Sequence, residues 1–146
     1  MAKRGFKKVF CRMKLLGGMA IVVSCLGVAG CSVEKVEAEK VRDVEFTVVD
    51  REDVPEELLG EIEEAKEEEM KLSYGDDGYL YVARGYGCRE TTGYSVEATE
   101  CYETKDSVRV KTRLLGPGKE EKILDRETYP YVVIKMEYVD KPVVYD

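Results

Sequence analysis

The chain of 146 residues contains no histidine and no tryptophan. The absence of histidine removes the commonest general base, the usual serine and cysteine catalytic triads and most catalytic zinc sites. Cys88 lies near Arg84 and Arg89 in the sequence, but an activated thiol also needs a positioned base and an oxyanion pocket, and the sequence shows neither. We therefore assign no catalytic residues and expect that the protein is not an enzyme.

Recognisable ligand-binding motifs are lacking as well. Gly85-Tyr86-Gly87 is not followed by the glycine and the helix that a nucleotide-binding loop requires. Six glutamates lie between residues 61 and 69, but a calcium loop would space its oxygen ligands at alternate positions around a glycine turn. We interpret these glutamates as the solvated face of a helix, and we expect no metal, no cofactor and no small-molecule substrate.

A basic N-terminus precedes a long uncharged run. Residues 2–14 carry six basic and no acidic residues, and Leu15–Gly30 is a stretch of sixteen residues without a charge. This layout is typical of a bacterial export signal. A run of that length falls short of the ~20 residues that span a bilayer, so an export signal is favoured over a permanent membrane anchor.

Small residues stand just before a cysteine at the end of this run. Val28-Ala29-Gly30-Cys31 resembles the lipobox of bacterial lipoproteins, in which the cysteine sulfur receives a diacylglycerol and the preceding peptide is removed. The resemblance implies a lipoprotein signal peptide over residues 1–30 and lipidation of Cys31. Since each buried methylene contributes about 0.8 kcal/mol, several acyl chains would anchor the protein stably on the extracytoplasmic face of the cell membrane.

The remaining chain would be strongly acidic. Removal of the signal peptide would take away six of the 23 basic residues. The remaining 17 basic and 30 acidic residues give a net charge of −13. Nucleic acid is then excluded as a partner, because phosphate contacts need a basic face. Residues 31–42 are interpreted as a lipidated tether, with a short helix as the alternative, and residues 43–146 as the folded domain.

The domain is predicted to be mainly β with one early helix. Asp43–Asp50 alternates apolar and polar residues, as a half-buried strand does. The following segment predicts an amphipathic helix of about four turns, with capping-box spacing at Asp53 and Glu56 and an apolar side that includes Leu58 and Ile62. Further strands are predicted at Tyr79–Arg84, Tyr94–Tyr102, Ser107–Leu115 and Tyr131–Val139, with a short last strand after Pro142 left open. Short strands separated by turn signals favour an α+β domain built on an antiparallel sheet or a β-sandwich.

The pairing of the two middle strands follows from parity. With a two-residue loop at Lys105-Asp106, the numbers of any two paired residues sum to 211. Because this sum is odd, the apolar residues of each strand would lie opposite charged residues of the other. A three-residue loop or a β-bulge restores the match. We predict that the turn does not have two residues, and that Glu97 lies near Arg113.

The two cysteines within the domain are not expected to pair. A strand from Tyr94 to Cys101 would span about 23 Å, whereas a disulfide needs Cα atoms about 5.5 Å apart. Cys88 could therefore reach Cys101 only if the preceding loop folded back along the whole strand. We expect two independent thiols.

One connection between strands is longer than a hairpin needs. Residues 85–93 form a loop of nine residues that ends in Thr91, Thr92 and Gly93 before Tyr94, and long connections in compact domains are often functional. The chain also has ten tyrosines against three phenylalanines, and tyrosine is favoured at protein contacts. We propose Thr91–Tyr94, Tyr129 and Tyr131 as protein-binding residues, with a self-bonded turn and core packing of the tyrosines as the alternative.

The order of these parts resembles the C-terminal domain of the protease complex subunit PrcB family. The similarity runs through "VPEELLGEIEEAK", "DDGYLYVARGYG", "TTGYSVE", "LLGPGK" and "TYPYVVIKM", most of residues 44–146, with Thr92 where the family usually has glycine. It implies an accessory, protein-binding role beside an envelope protein such as a surface protease, and it implies no catalytic residue.

Thr91–Tyr94 also resembles part of a loop in the chagasin-like inhibitors of cysteine proteases, which are immunoglobulin-like β-sandwiches that plug a protease cleft with three adjacent loops. Glu90 stands where those inhibitors have proline, and their other two loop motifs are missing. Gly116-Pro117-Gly118 and Tyr129-Pro130-Tyr131 could take comparable places. Inhibition of a cysteine protease is therefore the alternative function.

Overall fold

The structure is a computed structural model and describes residues 38–146, which form one compact unit. The predicted signal peptide, Cys31 and most of the predicted tether lie outside the described residues. Within residues 38–146 no helix has the length and apolar character needed to cross a membrane.

The described chain forms two four-stranded sheets and one α-helix. The first sheet has the strand order β1-β5-β6-β8 and the second β2-β7-β4-β3. All neighbours pair antiparallel except β6 and β8, which are parallel. This arrangement confirms the predicted mainly-β, sandwich-like fold. The elements are β1 Lys40–Asp43, β2 Phe46–Val48, α1 Glu56–Ala65, β3 Glu69–Asp76, β4 Tyr79–Tyr86, β5 Ser95–Thr104, β6 Val108–Leu115, β7 Tyr131–Glu137 and β8 Val143–Tyr145.

Two apolar cores stabilise the domain. Val82 and Ile134 of the second sheet pack against Val110 of the first sheet, between the two sheets. On the outer face of the second sheet, Leu58 and Ile62 of α1 are fully buried in a separate core. Full burial of such a side chain contributes about 1.5–3 kcal/mol. Because the second sheet is covered on both faces, β4 and β7 are buried along most of their length.

The N-terminal strand differs from the prediction. Residues 43–50 do not form one strand: β1 pairs with β5 of the first sheet, and β2 pairs with β7 of the second. Val44 lies between them and is buried in the core between the sheets, so the chain crosses here from one sheet to the other. Since Lys40 already pairs with Thr104, the end of the predicted tether is part of the folded domain.

The helix is shorter than predicted. It ends at Ala65, and Glu69–Asp76 forms β3, so the last glutamates of the run are not on the helix. The alternation of Met70, Leu72 and Tyr74 with polar residues is a strand pattern, and these three side chains pack against the helix core. The predicted capping box is also absent, because Pro55 is the N-cap residue and no side chain caps the helix.

The hairpin between β5 and β6 resolves the parity conflict with a bulge. Pairs near the turn sum to 211, as in Cys101 with Val110, and pairs beyond the bulge sum to 210, as in Val96 with Leu114. The prediction that the hairpin does not have a two-residue turn is wrong. The Thr104 amide donates to the Ser107 carbonyl at 2.8 Å, so the turn between them consists of two residues. The bulge shifts the strand by one residue, which keeps apolar side chains facing inward on both sides of it.

Two further expectations concern this hairpin. Arg113 forms an ion pair with Glu97 at 2.6 Å, as predicted. Cys101 is a free thiol, so the bridge between Cys88 and Cys101 is not formed. Its side chain is buried, and this burial raises its pKa to about 11. Cys88 is disulfide-bonded, which corrects the expectation of two independent thiols.

Candidate functional site

The predicted loop and the segment after β6 lie at the same end of the sandwich. Residues 87–94 join the end of β4 to the start of β5, and residues 116–130 join the end of β6 to the start of β7. Because β4 pairs antiparallel with β7, and β5 with β6, these four strand ends lie at the same end of the sandwich. Both connections are therefore neighbours in space.

Hydrogen bonds hold these two segments together as an irregular ribbon. Arg89 and Thr128 exchange two backbone bonds of 2.8 Å. Farther along, the Thr92 amide donates to the Leu124 carbonyl at 3.1 Å, and the Leu124 amide donates to Thr92 Oγ1 at 3.0 Å. The hydroxyl of Thr128 donates to the Thr91 carbonyl at 2.8 Å. The threonine at position 92 thus bonds the facing segment and fixes the loop's position.

Gly93 makes the tightest contact in this ribbon. Its φ of 93° lies in the region that favours glycine. A Cβ atom placed at residue 93 would lie 2.5 Å from Pro117 Cβ. Only a residue without a side chain lets the Thr91–Tyr94 turn pack this closely on the Gly116-Pro117 turn.

Three exposed apolar side chains gather at this end of the sandwich. The exposed fractions are 38% for Leu115, 50% for Ile123 and 46% for Leu124. Leu124 is held beside Thr92 by the bonds described above. We call Thr91–Tyr94 together with Leu115, Ile123 and Leu124 the loop surface. Exposed apolar side chains that are grouped on a rigid backbone are typical of a protein-binding surface.

The predicted tyrosines take different places. The Lys66 Nζ atom lies 5.2 Å from the centre of the Tyr129 ring, and burial, followed by the charge of Glu127, raises the pKa of Tyr129. Tyr131 packs against the helix core, and its hydroxyl accepts a bond of 3.3 Å from Arg51. Tyr129 therefore adjoins the loop surface through Thr128, whereas Tyr131 lies on the helix side of the second sheet.

An open depression lies at the opposite end of the sandwich. Its volume is about 740 Å³, and the turn after β3 and the segment between β7 and β8 line it. Within the described residues no three cysteine or carboxylate side chains are close enough to share a metal ion. The depression includes none of the predicted site residues.

Comparison with known proteins bears on the region that carries the loop surface. Residues 80–137 match the family model described as PrcB C-terminal, and this span runs from β4 to β7 with both connections of the ribbon. Searches of curated proteins and of solved structures return no match. The match is narrower than the resemblance seen in the sequence, because the helix motif lies outside it, and it supports the resemblance of residues 80–137 to the PrcB C-terminal family.

Proposed function

We propose that this protein is a lipid-anchored, extracytoplasmic binding subunit that associates through the loop surface with an envelope protein such as a surface protease. The family that residues 80–137 resemble suggests a subunit associated with a protease complex. Such a subunit contributes contacts and needs no catalytic machinery of its own. The lipid on Cys31 would hold the domain at the membrane, where its partner resides.

The observation that carries the binding role is the presence of exposed apolar side chains on and beside a hydrogen-bonded ribbon at one end of the sandwich. Thr92 and Leu124 are joined by two hydrogen bonds, so the apolar side chain of residue 124 is displayed from a fixed backbone. A surface that is ordered before binding loses less conformational entropy when a partner docks. Interface cores are also depleted of charge, which suits Ile123 and Leu124 despite the acidic chain around them.

Quantitative capture from membranes tests the binding role. The full chain would carry a C-terminal affinity tag, and the co-purified proteins would be compared between Leu124→Asp and Val41→Asp. Val41 is also exposed, at 63%, but lies on β1 near the opposite end, so it controls for an added charge. We expect Leu124→Asp to lose a defined partner by at least tenfold while Val41→Asp retains it. Equal recovery with both variants would contradict the proposal.

Labelling of intact cells with palmitate tests the anchor separately. We expect the label to enter the wild-type protein and to be absent from Cys31→Ser, which would leave the membrane fraction or accumulate with its N-terminal methionine. An unlabelled wild-type protein in the membrane fraction would remove Cys31 from the account and leave the binding role standing.

Inhibition of a cysteine protease is the second candidate. It is favoured by the packing of the Thr91–Tyr94 turn on the Gly116-Pro117 turn, which places two loops side by side as a cleft-plugging inhibitor requires. Purified protein assayed against papain-type proteases tests it, with Tyr94→Ala as the variant. Absence of inhibition at micromolar concentration would reject this function.

A further inference from the structure

Arg89 stands apart from the other arginines of the domain. Five of the seven arginines in residues 38–146 form ion pairs with carboxylates. Arg89 makes none with the described residues, and its Nε atom is buried without a hydrogen-bond partner. Arg126 is the only other arginine in residues 38–146 without an ion pair, and it is exposed. In a chain with 30 acidic residues, a half-buried guanidinium without a carboxylate is unexpected, because burial of an unpaired charge is unfavourable.

The surroundings of Arg89 hold its side chain in place without using its hydrogen-bonding capacity. Its backbone is fixed by the two bonds to Thr128, and its guanidinium carbon lies 5.8 Å from the centre of the Tyr94 ring. A ring face at this distance attracts the cation but accepts none of its five N–H groups in the plane. Because Nε is buried, it is the two terminal Nη groups that are positioned to donate to a partner.

The unpaired guanidinium lies beside the apolar part of the loop surface. Arg89 pairs with Thr128, and Thr92 pairs with Leu124 on the same ribbon, so three residues separate the two positions along the loop. An extended chain rises about 3.3 Å per residue, so the Cα atoms of Arg89 and Thr92 lie within roughly 10 Å of each other. Side chains two residues apart in an extended peptide share a face and lie about 7 Å apart, which is within this reach.

We propose that Arg89 binds a carboxylate of the partner, and that the segment presenting this carboxylate also carries an apolar side chain that packs on Ile123 and Leu124. The proposal rests on the binding role of the loop surface and specifies the chemistry of the segment it recognises. A planar guanidinium suits a carboxylate, which it can bind through two parallel hydrogen bonds. Phosphate-binding surfaces cluster several arginines, whereas here Arg89 is followed by Glu90, and the exposed Arg126 is flanked by Asp125 and Glu127.

A library of random heptapeptides on beads tests the proposal with the purified full chain in detergent micelles. The library is made with free and with amidated C-termini, so that a C-terminal carboxylate and an acidic side chain are distinguished. We expect the retained peptides to be enriched in a carboxylate two residues from a leucine, isoleucine or phenylalanine. Arg89→Gln should lose this enrichment by roughly tenfold or more, the scale of a lost charge-assisted hydrogen bond.

Two further variants make the result decisive. Arg126→Gln removes an exposed arginine from the facing segment of the ribbon and should select the same peptides as the wild type. Arg89→Lys keeps the charge and should retain part of the enrichment. Thermal unfolding of each variant shows that it is folded. The same carboxylate enrichment with Arg89→Gln, or retained peptides without carboxylates, overturns the proposal.

The same experiment separates this proposal from the binding role of the loop surface. If Leu124→Asp abolishes retention and Arg89→Gln leaves it unchanged, the loop surface binds protein and the role of Arg89 is wrong. If the wild-type protein retains no peptide, the role of Arg89 is overturned, and the capture from membranes decides the binding role by itself.

Discussion

The close packing of Gly93 on Pro117 gives the sharpest test of the loop geometry. Alanine at position 93 must adopt a φ of 93°, and left-handed backbone costs a residue with a Cβ atom about 1–2 kcal/mol. The new Cβ atom would also lie 2.5 Å from Pro117 Cβ and 3.1 Å from Pro117 Cα. Relief of such overpacking costs a further ~1–3 kcal/mol.

We therefore expect Gly93→Ala to destabilise the domain by about 3 kcal/mol. For a domain of this size that loss corresponds to a decrease of roughly 10–20 °C in the melting temperature. Circular dichroism of the purified protein measures it. Hydrogen exchange adds a local readout, because the Leu124 amide that donates to Thr92 Oγ1 should lose protection.

Two other glycines serve as matched controls. Gly78 has a φ of 78°, but a Cβ atom placed there would meet no other atom within 4 Å, and Gly60 lies in α1 with the same open space. Gly78→Ala should lose only the backbone contribution of about 1–2 kcal/mol, and Gly60→Ala should gain about 0.5–1 kcal/mol. The expected order of melting temperatures, from highest to lowest, is Gly60→Ala, wild type, Gly78→Ala, Gly93→Ala. A Gly93→Ala protein that melts at or above Gly78→Ala would refute the contact with Pro117.

Three further predictions concern the cores and one ion-pair cluster. Leu58→Ala, which empties a fully buried position under α1, should lower the free energy of unfolding by about 2–5 kcal/mol in urea denaturation; a loss below about 1 kcal/mol would contradict the packing of the helix on the second sheet. Cys101, whose pKa burial raises to about 11, should resist iodoacetamide at pH 8 until urea unfolds the protein, and rapid labelling of the native state would show that it is not in the core. Hydrogen bonds from Lys141 and Arg42 lower the pKa of Glu103 from its ordinary value of 4.5, so its stabilisation is present above that value and lost as the pH falls through the lower folded pKa. The difference in melting temperature between wild type and Glu103→Gln should therefore be largest at neutral pH and shrink below pH 4.5, and a difference independent of pH would contradict the ion pairs.

Strands in which apolar and polar residues alternate clearly could be predicted from the sequence, together with the turns between them. The reason is that successive side chains of a strand point to opposite faces of any sheet. The bounds of β4 to β7 differ from the predicted strands by a few residues at most. By contrast, β3 was missed because its first residues continue a glutamate run that also suits a helix. Its apolar alternation begins only at Met70, so Met70, Leu72 and Tyr74 were the only residues of its pattern that indicated a strand.

The loop surface shows a similar division. The length of the loop over residues 85–93 marked Thr91–Tyr94 as candidate binding residues. Ile123 and Leu124 were overlooked because residues 116–130 have no apolar periodicity, so nothing in the sequence separates an exposed leucine from a buried one there. Their place follows from long-range bonds between Thr92 and Leu124, which only the folded chain reveals.

Site-specific photocrosslinking in intact cells tests the central claim most directly. A photoreactive amino acid at position 123 reports on the loop surface, and the same amino acid at position 41 reports on an exposed apolar site near the opposite end of the domain. The account predicts one defined adduct from position 123, identified by mass spectrometry as an envelope protein, lost in the Leu124→Asp background and absent from position 41. The absence of an adduct from position 123, or the same adduct from both positions, would contradict it.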